Sequence, residues 1–321
     1  MSADALNEIA LSGTDPGGAG GGGSRRAQDR LLRRTFRDHS RTFSLASRFL
    51  PRAARLPTAA VYLYCRTVDE VADRRLYDVG PEQAAEDLDR LAADLDATLG
   101  GRPPDVLLWQ RLAAADAQYG LDPRPFHELL DGARWDVAGR PVETDADLLA
   151  YSDLVAGSVG AMMLPLLMPP SARRDALLGS ARALGDAMQL TNILRDVGED
   201  RGIGRCYLPS RTMERFGVTL DDLDRGEVTP GYVSLWEHVA TQAEQLYDAA
   251  KPGIAALPLR SRVGVSAAAR MYREILNEVR AAGYDNLSRR GVVPLRRKLR
   301  LTVHDDYARR RGRLVQARSA G

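Results

Sequence analysis

Apolar residues recur along this chain at intervals of three and four residues, and prolines and glycines interrupt the pattern from Arg25 onward. This spacing places apolar side chains along one face of an α-helix and polar side chains on the other. Strict alternation of apolar and polar residues, the pattern of a strand, is nearly absent. The chain is therefore predicted to be all-α, with helices near 26–38, 40–50, 57–76, 81–99, 104–118, 123–139, 145–167, 171–198, 209–216, 230–252, 261–283 and 294–312.

Capping residues mark several of these boundaries. Pro57 suits the first turn of its helix, where a missing N–H costs little. Thr144, with Asp147 three residues later, resembles a capping box at a helix start. Gly100 and Gly101 are expected to end the acidic helix before them, because glycine readily adopts the left-handed backbone of a helix end.

Polar side chains form a narrow stripe on one predicted helix, in the segment QLTNILRDVGED. At 3.6 residues per turn, one arc of this helix carries Gln189, Asn192, Asp196 and Asp200, at positions i, i+3, i+7 and i+11. Leucine, isoleucine and valine cover the other sides. Carboxylates in an apolar setting are costly without a counter-charge, and a metal ion would supply one.

A second stripe with similar spacing lies in YLYCRTVDEVAD, where Tyr62, Arg66, Asp69 and Asp73 occupy positions i, i+4, i+7 and i+11. One pair of aspartates a turn apart is typical of a solvated helix face. Two such pairs with apolar flanks and nearby arginines make an all-oxygen donor set, which suits Mg²⁺ completed by phosphate and water oxygens. Together the two stripes predict chemistry on a diphosphate.

Composition sets further limits on partners and location. The chain has 321 residues, and 44% of them are apolar, enough for the core of a single large helical domain. Its 45 basic and 43 acidic residues leave a net charge of +2, too small to attract nucleic acid by bulk electrostatics. Cys65 and Cys206 lack the spacing of metal ligands or of a disulfide framework, which fits a reducing cytoplasm. No obligate protein partner is indicated.

The ends of the chain differ in character from the middle. Residues 1–25 include the run GTDPGGAGGGGS and lack the apolar segment of a signal peptide, which predicts a disordered tail. Residues 26–312 form the predicted all-α domain, and residues 313–321 a C-terminal tail. The nearest candidate for a membrane span, AMMLPLLM, is too short. We therefore expect a soluble protein, or one peripheral to the membrane.

Four blocks of the chain resemble the signature segments of the squalene/phytoene synthase family, in the family's order. They are YCRTVDEVAD, YSDLVAGSVG, QLTNILRDVGED followed by GRCYLP, and YREILNEVRAAGYDNLSRR. The resemblance extends over roughly residues 39–297, and the acidic pair Asp69 and Glu70 and the YDNLSRR block are more like phytoene synthases than squalene synthases. It implies the isoprenoid synthase fold, a single large helical domain around a central cavity.

The resemblance also implies roles for individual residues. Catalytic roles fall to Asp69, Asp73, Asp196, Asp200, Arg66 and Arg195. Residues that would hold Mg²⁺ are Asp69, Asp73, Asn192, Asp196 and Asp200. Substrate-binding roles fall to Ser40, Thr42, Phe43, Tyr62, Tyr151, Gln189, Asn192, Arg205, Tyr207, Tyr272 and Arg289.

Three segments keep two interpretations each. The small residues of VAGSVG permit either tight helix packing or contact with a prenyl chain. The HSRTF segment, which contains Ser40, either caps a helix or helps to hold a diphosphate. The basic C-terminal runs LRRKLR and ARRRGR form a solvated helix face or contact anionic lipid. The glycines of GEDRGIGR do not satisfy GxGxxG, and no strand precedes them, so a flap over the diphosphate is the better interpretation.

The implied activity is the head-to-head joining of two geranylgeranyl diphosphates, through prephytoene diphosphate, to give phytoene. An alternative within the family uses farnesyl diphosphate and makes squalene or dehydrosqualene. A second alternative, from another functional class, is a helical scaffold without catalytic activity. The retained aspartates and motif arginines argue against the scaffold.

Overall fold

The computed structural model describes residues 21–39, 47, 50–75 and 79–288, and these residues form an all-α architecture without strands. The helices, numbered in chain order, are α1 Gly21–His39, α2 Arg52–Glu70, α3 Pro81–Leu99, α4 Leu107–Tyr119, α5 Pro123–Val137, α6 Asp145–Ser152, α7 Ser158–Leu167, α8 Ala172–Ala176, α9 Leu178–Gly202, α10 Ser210–Arg215, α11 Leu220–Asp224, α12 Pro230–Ala256 and α13 Leu259–Ala281. The predicted fold class is confirmed.

Two π-helical turns extend these helices. Val71–Arg75 continues α2, and Asp153–Gly157 joins α6 to α7 into one rod. A π turn inserts one residue into a helix and is frequent at functional sites. Here the first turn carries Asp73, and the second contains the first three residues of VAGSVG.

Most predicted helix ends lie within a few residues of those observed. Thr144 and Asp147 form the predicted capping box, in which each side chain bonds the other residue's main-chain N–H. The acidic helix α3 ends at the expected glycines, and Gly101 has a φ of 80°. The predicted helices near 40–50 and 294–312 lie largely or wholly outside the described residues.

Three expectations about helix ends were wrong. Pro57 lies inside α2, which begins at Arg52, and burial of its ring in the core compensates for one missing hydrogen bond. Helix α1 begins at Gly21, so it includes residues assigned to the disordered tail; its burial of Leu32 and Phe36 offsets the cost of ordering glycines. The predicted helix near 171–198 is interrupted at Leu177 and extends to Gly202. The proposed domain limits themselves remain predictions.

Two apolar clusters form the core, one on each side of a central space. The first surrounds Tyr64, whose hydroxyl donates to the main-chain oxygen of Phe126 at 3.0 Å. The second surrounds Trp236 and Leu190 and joins α9 to α12, which pack along each other extensively. Because α2 belongs to the first cluster and α9 to the second, the two acidic stripes face the space between them.

The rod Asp145–Leu167 is, among the described residues, the one helix run long and apolar enough to cross a membrane by length and composition. It packs on α5 and α9, and Val155, Ala156, Val159 and Gly160 line the central space. It therefore serves as a wall of the interior in this structure.

Candidate active site

A polar cavity of about 390 Å³ lies between the two aspartate-bearing helices. Its wall brings together eleven of the residues predicted for the site: Arg66, Asp69, Asp73, Tyr151, Gln189, Asn192, Arg195, Asp196, Asp200, Arg205 and Tyr207. An apolar cavity of about 300 Å³ adjoins it and shares Asp69, Gln189 and Asn192 with its wall. Tyr62 and Tyr272 line this second cavity. Ser40, Thr42, Phe43 and Arg289 lie outside the described residues.

Helix α2 presents the first acidic motif. Asp69 is exposed to the cavity, and the surrounding protein nevertheless excludes enough water to raise the pKa of its carboxyl to about 7, with Arg66 opposing the shift. Asp73 follows on the π turn and accepts a hydrogen bond from Arg205 Nη1 at 2.6 Å. Arg205 also donates to the main-chain oxygen of Ala72 at 3.0 Å. One arginine beyond the second motif thus ties the loop after α9 to the first motif.

Helix α9 presents the second motif and bends within it. Asp196 has φ −106° and ψ 15°, values outside the helical range. Arg195 Nε donates to Asp196 Oδ1 at 2.7 Å, and Arg195 Nη2 pairs with Asp196 Oδ2. Burial, together with the charges of Asp196 and Asp73, raises the pKa of Asp200 to about 7, whereas Arg205 lowers it.

The bend is held by a residue from the far end of the described chain. Within the bend, Gly198 N–H donates to the main-chain oxygen of Asn286 at 3.2 Å. The Leu194 oxygen accepts from Asn286 Nδ2 at 2.6 Å and from Trp236 Nε1 at 3.1 Å. Tyr232 donates to Asn286 Oδ1 at 2.8 Å. The buried Asn286 amide therefore joins the bend of α9 to Tyr232 of α12.

Asp136, at the end of α5, is a cavity residue that the sequence did not reveal. Its Oδ2 accepts from the Tyr151 hydroxyl and its Oδ1 from the Tyr207 hydroxyl, both at 3.0 Å. Burial raises the pKa of Asp136 to about 6, against the opposing effects of Arg205 and the two hydroxyls. No acidic spacing marks this residue, and only its contact with two predicted tyrosines identifies it.

The donor chemistry of the polar cavity fits a hard divalent cation. Its carboxylate and amide oxygens are the ligands that Mg²⁺ prefers, and Asn192 Oδ1 is a buried oxygen without a hydrogen-bond partner. Within the described ranges, no three His, Cys, Asp or Glu side chains meet as a ready-made ligand group. The arrangement therefore fits Mg²⁺ bound through a few carboxylates and completed by substrate oxygens, as at other diphosphate sites.

The small residues of VAGSVG pack tightly against a neighbouring helix, as one interpretation predicted, and they also line the apolar cavity. A Cβ on Gly160 would overlap the main chain of Ala181, and one on Gly185 would overlap the main chain of Ala156. The rod and α9 are therefore in backbone contact. Ala156 and Gly160 also line the apolar cavity, so the same close packing forms a smooth wall beside which an apolar chain has room.

The loop after α9 lies at the rim of the polar cavity. Ile203 and Arg205 line it, and Gly204 between them has a φ of 77°, a backbone region that favours glycine. Ile203 is 48% exposed. The loop is placed where a flap is expected, and its movement remains a prediction.

Comparison with known proteins agrees with this geometry. A model of the squalene/phytoene synthase family matches residues 36–298. The chain is 37% identical over 273 residues to phytoene synthase of Cereibacter sphaeroides, covering 83% of this chain and 76% of the relative. It is 39% identical over 264 residues to phytoene synthase of Thermus thermophilus, covering 81% and 86%.

A solved structure of a related protein has the same fold. A dehydrosqualene synthase solved with a ligand superimposes with a TM-score of 0.81 at 34% identity, covering 89% of this chain and 98% of that one. The helices around the central cavity therefore form the isoprenoid synthase fold. The matched signature blocks, the extent of the family model and the identity to its members together establish that this chain belongs to the squalene/phytoene synthase family.

Proposed function

We propose that the protein is a prenyltransferase that joins two geranylgeranyl diphosphates to phytoene. The observation that carries this proposal is the polar cavity rich in carboxylates and arginines, which adjoins an apolar cavity and shares five wall residues with it. A diphosphate fits the polar cavity, and a prenyl chain fits the apolar cavity. Identity of 34–39% to phytoene synthases of bacteria and of tomato supports the choice of substrate.

The first reaction needs a departing diphosphate and a protected cation. Arg66, Arg195 and Arg205 line the polar cavity, where they can neutralise the leaving group. When bound by Asp69, Asp73, Asn192, Asp196 and Asp200, Mg²⁺ would add further neutralising charge. The apolar wall keeps water from the allylic cation.

The carbon chemistry then follows from the substrates. The acceptor's double bond nearest its own diphosphate attacks the allylic cation, and loss of a proton closes a cyclopropane ring, which gives prephytoene diphosphate. A second departure of diphosphate at the same cavity is followed by rearrangement of the ring. Loss of a second proton gives a conjugated triene, so no reductant is consumed.

A second candidate is a thirty-carbon synthase that uses farnesyl diphosphate. The match to the dehydrosqualene synthase structure favours it. Substrate length is set by a few side chains of the apolar cavity, so the same fold can accept either substrate. A scaffold without activity has no such support, since the acidic motifs and their arginines all face the cavity.

One incubation distinguishes these candidates. Purified protein with Mg²⁺ is given farnesyl or geranylgeranyl diphosphate, with and without NADPH, and the extracted lipid is identified. We expect phytoene from geranylgeranyl diphosphate, with the near-ultraviolet absorbance of a triene and no effect of NADPH. A thirty-carbon product, or a saturated central bond that forms only with NADPH, would refute the assignment.

We also infer a cytoplasmic enzyme with peripheral membrane contact. The proposed product is a hydrocarbon that partitions into lipid, and the basic runs LRRKLR and ARRRGR are suited to anionic headgroups. These runs lie outside the described residues. Co-sedimentation with vesicles of anionic lipid, but not with neutral vesicles, is the expected result; equal recovery with both would count against an electrostatic contact.

A further inference from the structure

Asp136 faces two tyrosines that the sequence assigned to substrate binding. The Tyr151 hydroxyl donates to Asp136 Oδ2 and the Tyr207 hydroxyl to Asp136 Oδ1, each at 3.0 Å. The two rings stack, with centroids 4.9 Å apart and planes inclined by 19°. All three residues line the polar cavity, and Tyr151 is buried, with 3% of its surface exposed.

The direction of these hydrogen bonds limits what the tyrosines can do. A phenol has a single proton, and an ionised carboxylate only accepts hydrogen bonds. With both protons committed to Asp136, neither hydroxyl can donate to a diphosphate oxygen. Where they line the cavity, the two residues therefore offer oxygen lone pairs and aromatic carbon rather than hydroxyl protons. Donation to a carboxylate also makes each ring more electron-rich.

We propose that Asp136 is a positioning residue that turns the protons of Tyr151 and Tyr207 away from the diphosphate. The tyrosine pair then acts as an electron-rich wall toward the allylic cation. An electron-rich aromatic face attracts a cation, most strongly where water is excluded. The proposal deepens the proposed function and rests on it only in assuming that a prenyl diphosphate ionises in this cavity.

The position of Asp136 also suits a different role, that of a metal ligand. It shares the cavity with the four motif aspartates, and a carboxylate oxygen that accepts one hydrogen bond still has a second lone pair. Asp136 would then be a fifth carboxylate for Mg²⁺. The two roles differ in one respect: a ligand determines how much Mg²⁺ is needed, whereas a positioning residue determines the rate of ionisation once Mg²⁺ and substrate are bound.

The test is Asp136→Asn, which keeps the size and shape of the side chain. The amide offers one acceptor and one donor group, so at most one tyrosine keeps its bond and the other proton turns toward the cavity. The measurement is the rate of diphosphate release with whichever prenyl diphosphate the wild-type protein consumes. We expect kcat to fall roughly 10- to 30-fold, with KM and the Mg²⁺ dependence of the rate unchanged. Asp136→Glu, which restores an acceptor-only carboxylate, is expected to recover part of the loss.

Two further variants separate positioning from folding. Asp145→Asn is the matched control, because Asp145 is likewise a carboxylate hydrogen-bonded to side chains, to Thr212 at 2.7 Å, His238 at 2.6 Å and Gln242 at 3.1 Å, but lines neither cavity. It is expected to leave diphosphate release unchanged. In the double variant Tyr151→Phe/Tyr207→Phe no phenolic proton remains, so adding Asp136→Asn should cause no further loss.

Three outcomes would overturn the proposal. These are a wild-type kcat in Asp136→Asn, an undiminished effect of that change in the double phenylalanine background, and a higher Mg²⁺ requirement. A weaker thermal stabilisation of Asp136→Asn by Mg²⁺ and inorganic diphosphate would likewise identify Asp136 as a ligand. Because diphosphate release is scored for either substrate, a thirty-carbon product would refute the proposed function and leave this test intact.

Discussion

Replacing Gly185 by alanine tests whether the backbone contact between α9 and the rod Asp145–Leu167 sets the shape of the site. The added Cβ would lie within 3.0 Å of the carbonyl carbon and oxygen of Ala156 and of the amide nitrogen of Gly157. These are main-chain atoms, so rotation of a side chain cannot relieve the overlap and the helices must separate.

The magnitude follows from two opposing effects. Overpacking costs about 1–3 kcal/mol, and we take the upper end because both partners are backbone. Alanine in place of glycine within a helix returns about 1 kcal/mol. The free energy of unfolding of Gly185→Ala is therefore expected to fall by about 2 kcal/mol, with a melting temperature lower by roughly 4 °C or more.

Gly179→Ala is the matched control, because it makes the same change in the same helix. Nothing lies within 4 Å of its added Cβ, so we expect a gain of about 0.5–1 kcal/mol. Urea and thermal unfolding followed by circular dichroism at 222 nm give both values. Turnover should fall only for Gly185→Ala, because separation of the helices moves the second acidic motif. Equal stability of the two variants would refute the reasoning.

The remaining predictions concern the polar cavity. The first variants are Asp69→Ala, Asp73→Ala, Asp196→Ala and Asp200→Ala. Each should lower turnover by orders of magnitude and leave the helical circular dichroism intact. Full activity in EDTA would contradict a metal role. Arg205→Lys keeps the charge but loses the two-pronged contact with the first motif. Both ionisation steps should therefore slow, and product analysis should show accumulation of the cyclopropyl diphosphate. No change in either step would exclude a role for Arg205 in binding the diphosphate. Because the folded-state pKa of Asp69 and of Asp200 is raised from 3.8 to about 7, the folded protein binds more protons than the unfolded one between about pH 4 and 7. These groups therefore lower stability as pH rises through that range, and Mg²⁺ should raise the melting temperature more at pH 8 than at pH 5.5; equal shifts would contradict this. Asn286→Ala leaves the Tyr232 hydroxyl buried without a partner, so the free energy of unfolding should fall by about 2–4 kcal/mol and Mg²⁺ binding should weaken. Tyr232→Phe should also lower stability but leave Mg²⁺ binding unchanged. Equal Mg²⁺ affinity in the two variants would argue against control of the bend by Asn286.

Much of the fold was predictable because its helices bury one face along many turns. The rod Asp145–Leu167 begins where the predicted capping box at Thr144 places it, and helix α12 begins at Pro230, as its predicted range does. The short helix Leu220–Asp224 was missed because five residues do not complete two turns of periodicity. The π turns were missed as well, because one inserted residue changes the spacing of apolar positions very little.

The candidate site was predictable where its residues share a helix face. Asp69 and Asp73, and likewise Asp196 and Asp200, are local pairs, and local spacing is what a sequence displays. Asp136 reaches the cavity from a third helix without any companion carboxylate on its own face. The bend at Asp196 depends on Asn286, whose side chain bonds a residue 92 positions earlier. Such contacts depend on tertiary packing, which periodicity does not encode.

The dependence of this bend on Asn286 also determines when the site can form during protein synthesis. A ribosome delivers α9 with all of its carboxylates well before residue 286 leaves the exit tunnel, and N-terminal parts of a chain begin to fold during synthesis. Until then neither the Leu194 oxygen nor the Gly198 N–H has its partner on Asn286, and these contacts cannot hold the bend in α9. The second acidic motif would thus take its final direction only after translation has passed residue 286, so that a nascent or shortened chain can be helical and compact while still unable to handle its substrate.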